Sequence, residues 1–317
     1  ISACLVGSEM CIRDSLFSGN IGVYLGIDQG YFQAEGLDVE LVTIKTTPEG
    51  IPQLAGGQVQ VIQSGPDPAI SNALDRGVDM RILAAATKGK PGDRTAAVLV
   101  RKDLIDSGKV KSAKDLRGMS IAEPALQSQW YIEKYLAEDG LTANDVKIVM
   151  LPVADIPAAM ANKAIDAAWE IEPQLTSAIN QNIGVAVAAV GDLLPGAISS
   201  TVIVNAAFSQ QQPEALRRYM VVWLRGMREY YHALNKKDTD PTKVLASLTK
   251  HTALKDANVY MHMATPNFDP NATMNTMSWD ILQDYFIKQG LQKTRIDFNK
   301  YIDPTFLNYA LDQLGRE

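Results

Sequence analysis

Cysteine is scarce in this sequence, and so are long apolar runs. Only Cys4 and Cys11 are cysteine among the 317 residues. So low a thiol content is compatible with an oxidising compartment, although it does not require one. No uninterrupted apolar run approaches the ~18 residues that cross a bilayer. The sequence therefore does not predict a protein that is integral to a membrane.

Clusters of basic residues are also missing. The formal net charge is -6 at pH 7, and the sequence contains no block of Lys and Arg. Proteins that bind nucleic acids need such blocks, because their affinity depends on neutralising phosphates. A nucleic acid is therefore not expected as a partner.

The sequence lacks motifs that would indicate an enzyme or a metal protein. No GxSxG motif surrounds any candidate serine, and GKPGDR at 89–94 has neither the spacing nor the Lys-Ser/Thr ending of a phosphate-binding loop. The three histidines, His232, His251 and His262, are far apart and have no HExxH or cysteine partners. We expect no catalytic activity, no metal site and no cofactor.

The first fifteen residues allow two interpretations. Ile1-Ser2-Ala3-Cys4 fits the small-residue-then-Cys pattern of a lipoprotein cleavage site, but the charged and apolar regions of a signal peptide do not precede it. Alternatively, residues 3–15, ACLVGSEMCIRDS, resemble translated sequencing-adapter read-through and are foreign. We favour the second interpretation, which predicts that deletion of this segment leaves ligand binding intact.

What the sequence does contain is an ordinary globular composition, with 46% apolar and 21% charged residues. A chain of 317 residues exceeds what one hydrophobic core usually organises. We therefore expect two lobes of roughly 100 to 200 residues each.

Helices and strands alternate along the first part of the chain. Residues 22–42 predict a short helix that ends at Gly30, a turn at Gly36 and a strand at 37–42. A helix at 50–56 and a strand at 59–63 follow. Asp67 and Pro68 then predict the start of a helix, and 81–86 a further strand. This alternation indicates a largely parallel sheet with helices on both faces.

The alternation then starts again. Strands are predicted at 95–101, 119–122, 147–151 and 164–170, with a helix at 128–139 and another at 156–162. A last apolar strand at 200–205 precedes a long helix at 213–234 and a mainly helical tail. The chain thus contains a second α/β unit.

Several segments resemble one family in their order and spacing. They are YLGIDQGYFQAEGLDVELV, QLAGGQVQV, ALDRGVDMRILAA, SAKDLRGMSIA, LAEDGLTANDVKIV, NKAIDAAWEIEP and IDPTFLNYALDQLG. Together they cover nearly the whole chain from about Phe17. On these segments the chain resembles the type II periplasmic binding proteins of the sulfonate, nitrate, taurine and thiamine-precursor group, the NMT1/THI5-like proteins. A pyrimidine-synthase-like enzyme is a less favoured alternative within this resemblance, because the related synthase carries a cysteine-rich iron motif that this sequence does not have.

The resemblance implies a fold and a role. The fold is α/β with two lobes, each a mixed, largely parallel sheet flanked by helices, joined by a two-strand hinge at 97–101 and 202–206. Lobe one would comprise 1–98 and 206–317, and lobe two 99–205. The role would be the substrate-binding component of an ABC importer, a periplasmic or extracytoplasmic monomer that closes about a small solute and delivers it to an inner-membrane permease. A sensing module for a membrane receptor would use the same fold.

Candidate ligand-binding residues follow from the strand ends, because ligands of open α/β sheets bind beyond the carboxyl ends of strands. The candidates before the first helix and after the strands of lobe one are Ser18, Asn20, Ser64, Asp67, Thr87 and Lys88. Those of lobe two and the return crossover are Ser128, Trp130, Trp169, Glu170 and Ser200.

Each candidate has a plainer structural role to set against ligand binding. Ser64 and Ser128 are near helix starts, whose free amides suit an anion, yet Asp67 and Ser128 could simply cap their helices. Trp130 and Trp169 could form a flat wall of the cleft or pack in a core. Glu170 could accept hydrogen bonds from an amine or from Lys88, and Glu172 could be an exposed carboxylate at a helix start.

The predicted site is polar and not visibly basic. Simple oxyanions usually need Arg or Lys forks or several free amides. Only Lys88, Lys90 and Arg94 are near the candidate residues in sequence. We therefore expect a nitrogen-bearing solute, such as a heterocycle or an amino-sulfonate-like zwitterion, in preference to nitrate.

Overall fold

The computed structural model describes residues 9–14, 18–44, 46–252 and 254–317, with the backbone alone for residues 9–14 and Ser18. The chain divides into two compact units. Unit 1 runs to Lys88 and includes Ile198–Ala257 and Pro266–Glu317. Unit 2 consists of Gly89–Ala197 and Asn258–Thr265. Each unit contains one five-stranded sheet.

The strands are β1 Glu9–Asp14, β2 Asp38–Thr43, β3 Val61–Ser64, β4 Met80–Lys88, β5 Ala96–Arg101, β6 Ser120–Glu123, β7 Lys147–Met150, β8 Ala167–Ile171, β9 Gly184–Ala189 and β10 Ile198–Asn205. The α-helices are α1 Ile21–Asp28, α2 Tyr31–Ala34, α3 Thr47–Ala55, α4 Pro68–Asp75, α5 Lys102–Asp106, α6 Leu126–Ala137, α7 Ile156–Ala161, α8 Gln174–Asn180, α9 Val190–Leu193, α10 Ala206–Gln211, α11 Pro213–Tyr230, α12 Thr242–His251, α13 Ala257–His262, α14 Met277–Lys288 and α15 Thr305–Leu314. No helix of the described segments is both long and apolar enough to cross a bilayer.

The sheet of unit 1 has the strand order β2-β1-β3-β10-β4. β1 is parallel to β2 and β3, whereas β10 is antiparallel to β3 and β4. Because β10 runs against its neighbours, its first residues lie at the edge where β3 and β4 end. Ser200 pairs with Thr87, and Thr201 with Ser64.

The sheet of unit 2 repeats this arrangement with the order β7-β6-β8-β5-β9. β6 is parallel to β7 and β8, and β5 is antiparallel to β8 and β9. The carboxyl ends of β6 and β8 therefore share an edge with the start of β5. The mixed α/β sheets confirm the predicted fold class.

Two apolar clusters hold the helices against the sheets. In unit 1 one cluster joins strands β3, β4 and β10 to helices α3 and α4 and includes Ile62, Ile82, Ile203 and Trp279. In unit 2 a cluster joins β5, β6 and β8 to α7 and α8 and includes Leu99, Ala122, Ala168 and Met160. Burial of such side chains supplies most of the driving force for folding.

Local sequence signals explain where helices begin and end. Gly30 has a φ of 70°, a conformation that glycine adopts readily, and it separates α1 from α2 where a helix end was predicted. The long helix predicted at 213–234 is α11, and Tyr231–Lys236 continues it as a π-helix. Trp223 on α11 is fully buried.

The crossings between the units differ from the predicted hinge segments. The chain passes between the units after Lys88 and after Ala197, and again at either end of Asn258–Thr265. Residues 97–101 belong to β5, which pairs with β8 and β9 in the sheet of unit 2, and 202–205 belong to β10, which pairs with β3 and β4 in the sheet of unit 1. The return of 258–265 to unit 2 has no counterpart in the predicted boundaries.

Part of the segment expected to be foreign lies in a sheet. Residues 9–14 form β1, between β2 and β3. Cys4, the candidate for lipid anchoring, lies outside the described residues. A foreign segment is not expected to form a strand inside the sheet of unit 1, so the position of β1 speaks against the adapter interpretation.

Candidate functional site

The strand ends of unit 1 bring several of the predicted residues together. β3 ends at Ser64 and β4 at Lys88, and the register of β10 places Ser200 opposite Thr87 at the same edge. Ser64, Thr87 and Ser200 are all buried. The antiparallel β10 is what unites them, since it brings the start of one strand to the ends of two others.

Hydroxyl groups at this edge hydrogen-bond to one another. The Ser64 and Thr47 hydroxyl oxygens lie 2.9 Å apart, and those of Thr87 and Ser199 lie 2.6 Å apart. The Thr201 hydroxyl donates to the Ser64 carbonyl oxygen at 2.8 Å. Each of these hydroxyls therefore has a protein partner.

Asn20 is buried beside the same edge and contacts a glutamine that precedes Ser64. With the Gln63 amide oriented to suit its neighbours, its nitrogen donates to the Gly19 carbonyl at 3.2 Å and to Asn20 Oδ1 at 3.1 Å. Its oxygen accepts from Trp223 Nε1 at 3.2 Å. Gln63 thus ties the start of α1 to α11. The side chain of Ser18 lies outside the described residues.

Asp67 and Lys88 have structural roles in unit 1. Asp67 Oδ1 accepts a hydrogen bond from the Ala69 amide at 2.7 Å, which makes Asp67 the N-cap of α4. The backbone of Lys88 bonds to Asn267 through an amide hydrogen bond of 3.0 Å and a carbonyl hydrogen bond of 2.9 Å. For Asp67 the capping alternative accounts for the observed contact.

Trp169 does not form the exposed wall that its place at a strand end suggested. Its side chain is only 3% exposed and stacks on Tyr131 with 4.5 Å between ring centroids. Trp130 packs edge-on against Tyr131 at 5.0 Å and is half-buried. The three rings form one aromatic cluster between β8 and α6, because the bulky rings fill the space that small residues elsewhere in β8 leave open.

Ser128 does not start a helix, contrary to the prediction. α6 begins at Leu126, and the Ser128 amide donates to the Ala125 carbonyl at 2.8 Å. Its amide is therefore already used, and its side chain is 3% exposed. The helix starts earlier because Leu126 and Gln127 can both adopt helical conformations once the chain has passed Pro124.

Glu170 is the most unusual candidate in unit 2. It is fully buried near the end of β8, and one oxygen accepts the Ile171 amide at 2.9 Å. The other oxygen, Oε2, is buried and has no hydrogen-bond partner in the part of the chain that the structure describes. Burial raises the pKa of Glu170 to about 8 despite the Ile171 amide, and the charge of Glu172 acts in the same direction. A buried acceptor without a hydrogen bond lowers the stability of the folded protein.

Glu172 is buried, and not an exposed carboxylate as one reading of the sequence expected. Its two oxygens accept from the Thr176 hydroxyl at 2.7 Å, from the Thr176 amide at 3.0 Å and from the Ala264 amide at 3.2 Å. Burial raises its pKa against these hydrogen bonds. Glu172 therefore joins α8 to the returning segment 258–265.

Several residues at these edges were not among the predicted ones. They are Thr47, Gln63 and Thr201 in unit 1, and Glu123 and Tyr131 in unit 2. Glu123 could have been found from the sequence, because it directly follows the strand predicted at 119–122. Gln63 could not, since its role depends on contacts with α1 and α11 that are distant in sequence.

The two sheets, each with one antiparallel strand beside parallel ones, define a type II periplasmic-binding-protein fold. The sequence profile described as NMT1/THI5 like matches residues 18–233. This match spans more than half of the chain, so the chain belongs to the NMT1/THI5-like family. No curated protein sequence matches it.

Solved structures are similar in fold. The periplasmic aliphatic sulphonate binding protein SsuA from Escherichia coli is 18% identical with a TM-score of 0.73, over 94% of this chain and 92% of that one. The periplasmic nitrate-binding protein NrtA from Synechocystis PCC 6803 is 13% identical with a TM-score of 0.75, over 98% and 89%. The desulfurization enzyme DSZB is 14% identical with a TM-score of 0.68, over 96% and 99%. At these identities the likeness concerns the fold alone.

Proposed function

We propose that this protein is the extracytoplasmic substrate-binding component of an ABC importer and that it binds a small, polar, nitrogen-bearing solute without transforming it. Family membership supports a role close to that of the sulphonate- and nitrate-binding proteins with the same fold. The partner in transport would be an inner-membrane permease, and the protein would act as a monomer. The interlobe cleft and its hinge closure stay predictions from the sequence.

One observation carries the choice of solute. Glu170 presents a buried oxygen without a hydrogen-bond partner at the carboxyl edge of the unit 2 sheet. A solute with N–H groups would supply the missing donor, whereas a sulfonate or nitrate would add a negative charge beside two buried carboxyls. The expected ligand therefore differs in charge from those of the sulphonate- and nitrate-binding relatives.

A thermal-shift panel tests this proposal. It would contain putrescine, benzamidine and 4-aminopyrimidine as donors, and methanesulfonate and MOPS as sulfonates. A ligand that binds only the folded state adds about 2.7 kcal/mol at a hundredfold excess over its dissociation constant. We expect stabilisation by at least one donor and weaker or no stabilisation by MOPS.

Variants connect the result to Glu170. Glu170→Gln should weaken the best ligand about tenfold, because a carboxyl that can ionise when it accepts the N–H groups of the solute is replaced by an amide that cannot. Glu138→Gln makes the same chemical change at an exposed position of unit 2 and should leave affinity unchanged. A sulfonate as the best ligand, with Glu170→Gln binding it as well as the wild type, would refute the proposed solute class.

A further inference from the structure

Glu123 is a second acid of unit 2 with a buried carboxyl oxygen. It is the last residue of β6 and is 3% exposed. Its Oε2 atom is buried and has no hydrogen-bond partner among the described residues. The backbone carbonyl of Glu123 accepts the Leu151 amide at 3.0 Å. Nothing in the described contacts of Glu123 explains why a carboxyl occupies this position.

The strand register places Glu123 on the aromatic face of the sheet. In the parallel pair of β6 and β8, Ala122 lies opposite Ala168, and both side chains belong to the cluster under α7 and α8. The next residue of each strand, Glu123 and Trp169, therefore points to the other face. Glu123 thus shares a face with Trp169 and with Tyr131, which stacks on it. Glu170, two residues after Ala168, lies on the opposite face.

The charges around Glu123 are negative. Burial raises the pKa of Glu123 to about 7, and the charge of Glu133 on α6 acts in the same direction. On the other neighbouring strand, Met150 is opposite Glu123 and carries no charge. The nearby Tyr131 has a raised pKa because of burial and the charge of Asp93. Among the described residues, no cation contributes to the pKa of Glu123.

A carboxyl group beside stacked aromatic rings suits a positively charged nitrogen group as its ligand. Aromatic faces attract cations, and a carboxylate binds amidinium and ammonium groups through charge-assisted hydrogen bonds. We propose that Glu123 is a ligand-binding carboxyl that holds a flat, positively charged nitrogen group of the solute beside Trp169 and Tyr131. This inference rests on the proposed function and narrows it to cationic solutes.

The inference also predicts that Glu123 releases a proton when the ligand binds. When a cation binds, the protonated Glu123 ionises, so that its proton passes to solvent and the carboxylate pairs with the ligand. With a pKa of about 7, roughly half of the Glu123 groups carry that proton at pH 7. Affinity for a permanent cation should therefore rise between pH 6 and pH 8, as the free carboxyl loses its proton.

Benzamidine and its neutral isostere benzamide form a matched pair of probes. Titration calorimetry at pH 7 in buffers of different ionisation enthalpy gives both the affinity and the number of protons released. In the wild type we expect benzamidine to bind at least about tenfold more tightly than benzamide and to release protons. In Glu123→Gln we expect about tenfold weaker binding of benzamidine, about half a proton less release, and unchanged binding of benzamide.

Separate results overturn this inference and the proposed function. Equal benzamidine affinity and equal proton release in Glu123→Gln would overturn the role of Glu123, even if Glu170→Gln still weakens binding. Benzamidine failing to bind the wild type, while a neutral or anionic solute binds, would overturn the cationic class.

The ligand-free protein supplies a second measurement. A carboxyl kept for a ligand does not stabilise the fold, so Glu123→Gln should melt at the same temperature as the wild type or higher at pH 8. A clear fall in melting temperature would mean that Glu123 has a structural partner, and would also overturn the inference. Glu138→Gln serves as the control in both measurements.

Discussion

The two sheets have the same strand arrangement but differ in how their polar edges are satisfied. In unit 1, Ser64, Thr87 and Gln63 hydrogen-bond to other side chains of the same unit. In unit 2, Glu123 and Glu170 each keep a buried oxygen without a partner. A satisfied network holds its own geometry, whereas an unsatisfied acid is tolerated only when another requirement maintains it. The comparison therefore indicates a rigid edge in unit 1, and it supports the proposal that the edge of unit 2 contacts the ligand.

The largest expected effect concerns pH and the two acids of unit 2. Their pKa values in the folded protein, about 7 for Glu123 and about 8 for Glu170, lie above the ordinary value of 4.5. Between pH 4.5 and 8 the folded state holds protons that the unfolded state has lost, so stability falls as pH rises. We expect a loss of several kcal/mol across this window in the ligand-free protein, as measured by urea unfolding.

A double variant isolates these two groups from the rest of the chain. Glu123→Gln with Glu170→Gln should remove most of the pH dependence between pH 5 and 8, and the Glu138→Gln control should not. If the double variant and the wild type lose stability in parallel, the acids of unit 2 already have partners. The contrast with unit 1 would then disappear.

The second effect concerns β1, which leads into the edge of unit 1. Ile12 pairs with Leu41 on one side and Val61 on the other. Ile12→Pro removes an amide from the middle of the sheet and should destabilise the protein by at least about 3 kcal/mol. Ile12→Val keeps the amide and is the control. If Ile12→Pro is as stable as the wild type, the segment is of foreign origin and β1 does not contribute to the stability of unit 1.

The third effect tests the network around Gln63. Gln63→Leu leaves Trp223 Nε1 and the Gly19 carbonyl without the amide that joins them. We expect a loss of about 2 kcal/mol in the free energy of unfolding. Gln53→Leu changes a glutamine whose side chain makes one described hydrogen bond, an exposed one of 3.4 Å, and should cost less than about 0.5 kcal/mol. Equal stability of the two variants would show that the Gln63 network does not hold the edge of unit 1.

Much of the fold could be predicted from the sequence because its signals are local. Gly30 ended a helix, Asp67 capped one, and the alternation of strands and helices gave two α/β units, which the structure contains. The sequence did not predict that residues 258–265 return to unit 2, since a short helix carries no sign of its distant partners. The same limit applied to the expected exposure of Trp169, which depends on the stacking of Tyr131 from another element.

The candidate site could also be predicted only in part from the sequence. The rule that ligands bind beyond strand ends selected Glu170, and applied to β6 it would have selected Glu123 as well. It could not tell which polar residues have partners, because partners come from β10, α11 and other distant segments. For that reason the sequence alone treated Ser64, Thr87 and Glu170 as equivalent candidates, although only Glu170 has an open acceptor.

The smallest expected change in stability concerns the hydroxyl pairs of unit 1. Thr87→Val keeps the shape of the side chain but leaves the exposed Ser199 hydroxyl without its 2.6 Å partner. Water can replace that partner, so we expect a cost of about 1 kcal/mol in stability, measured by urea unfolding. Because this hydroxyl is already paired within unit 1, benzamidine affinity should change less than twofold, against about tenfold for Glu123→Gln. Thr87→Val could instead keep normal stability and bind benzamidine tenfold more weakly. Ligand binding would then depend on the edge of unit 1 as much as on the edge of unit 2, which would contradict the comparison.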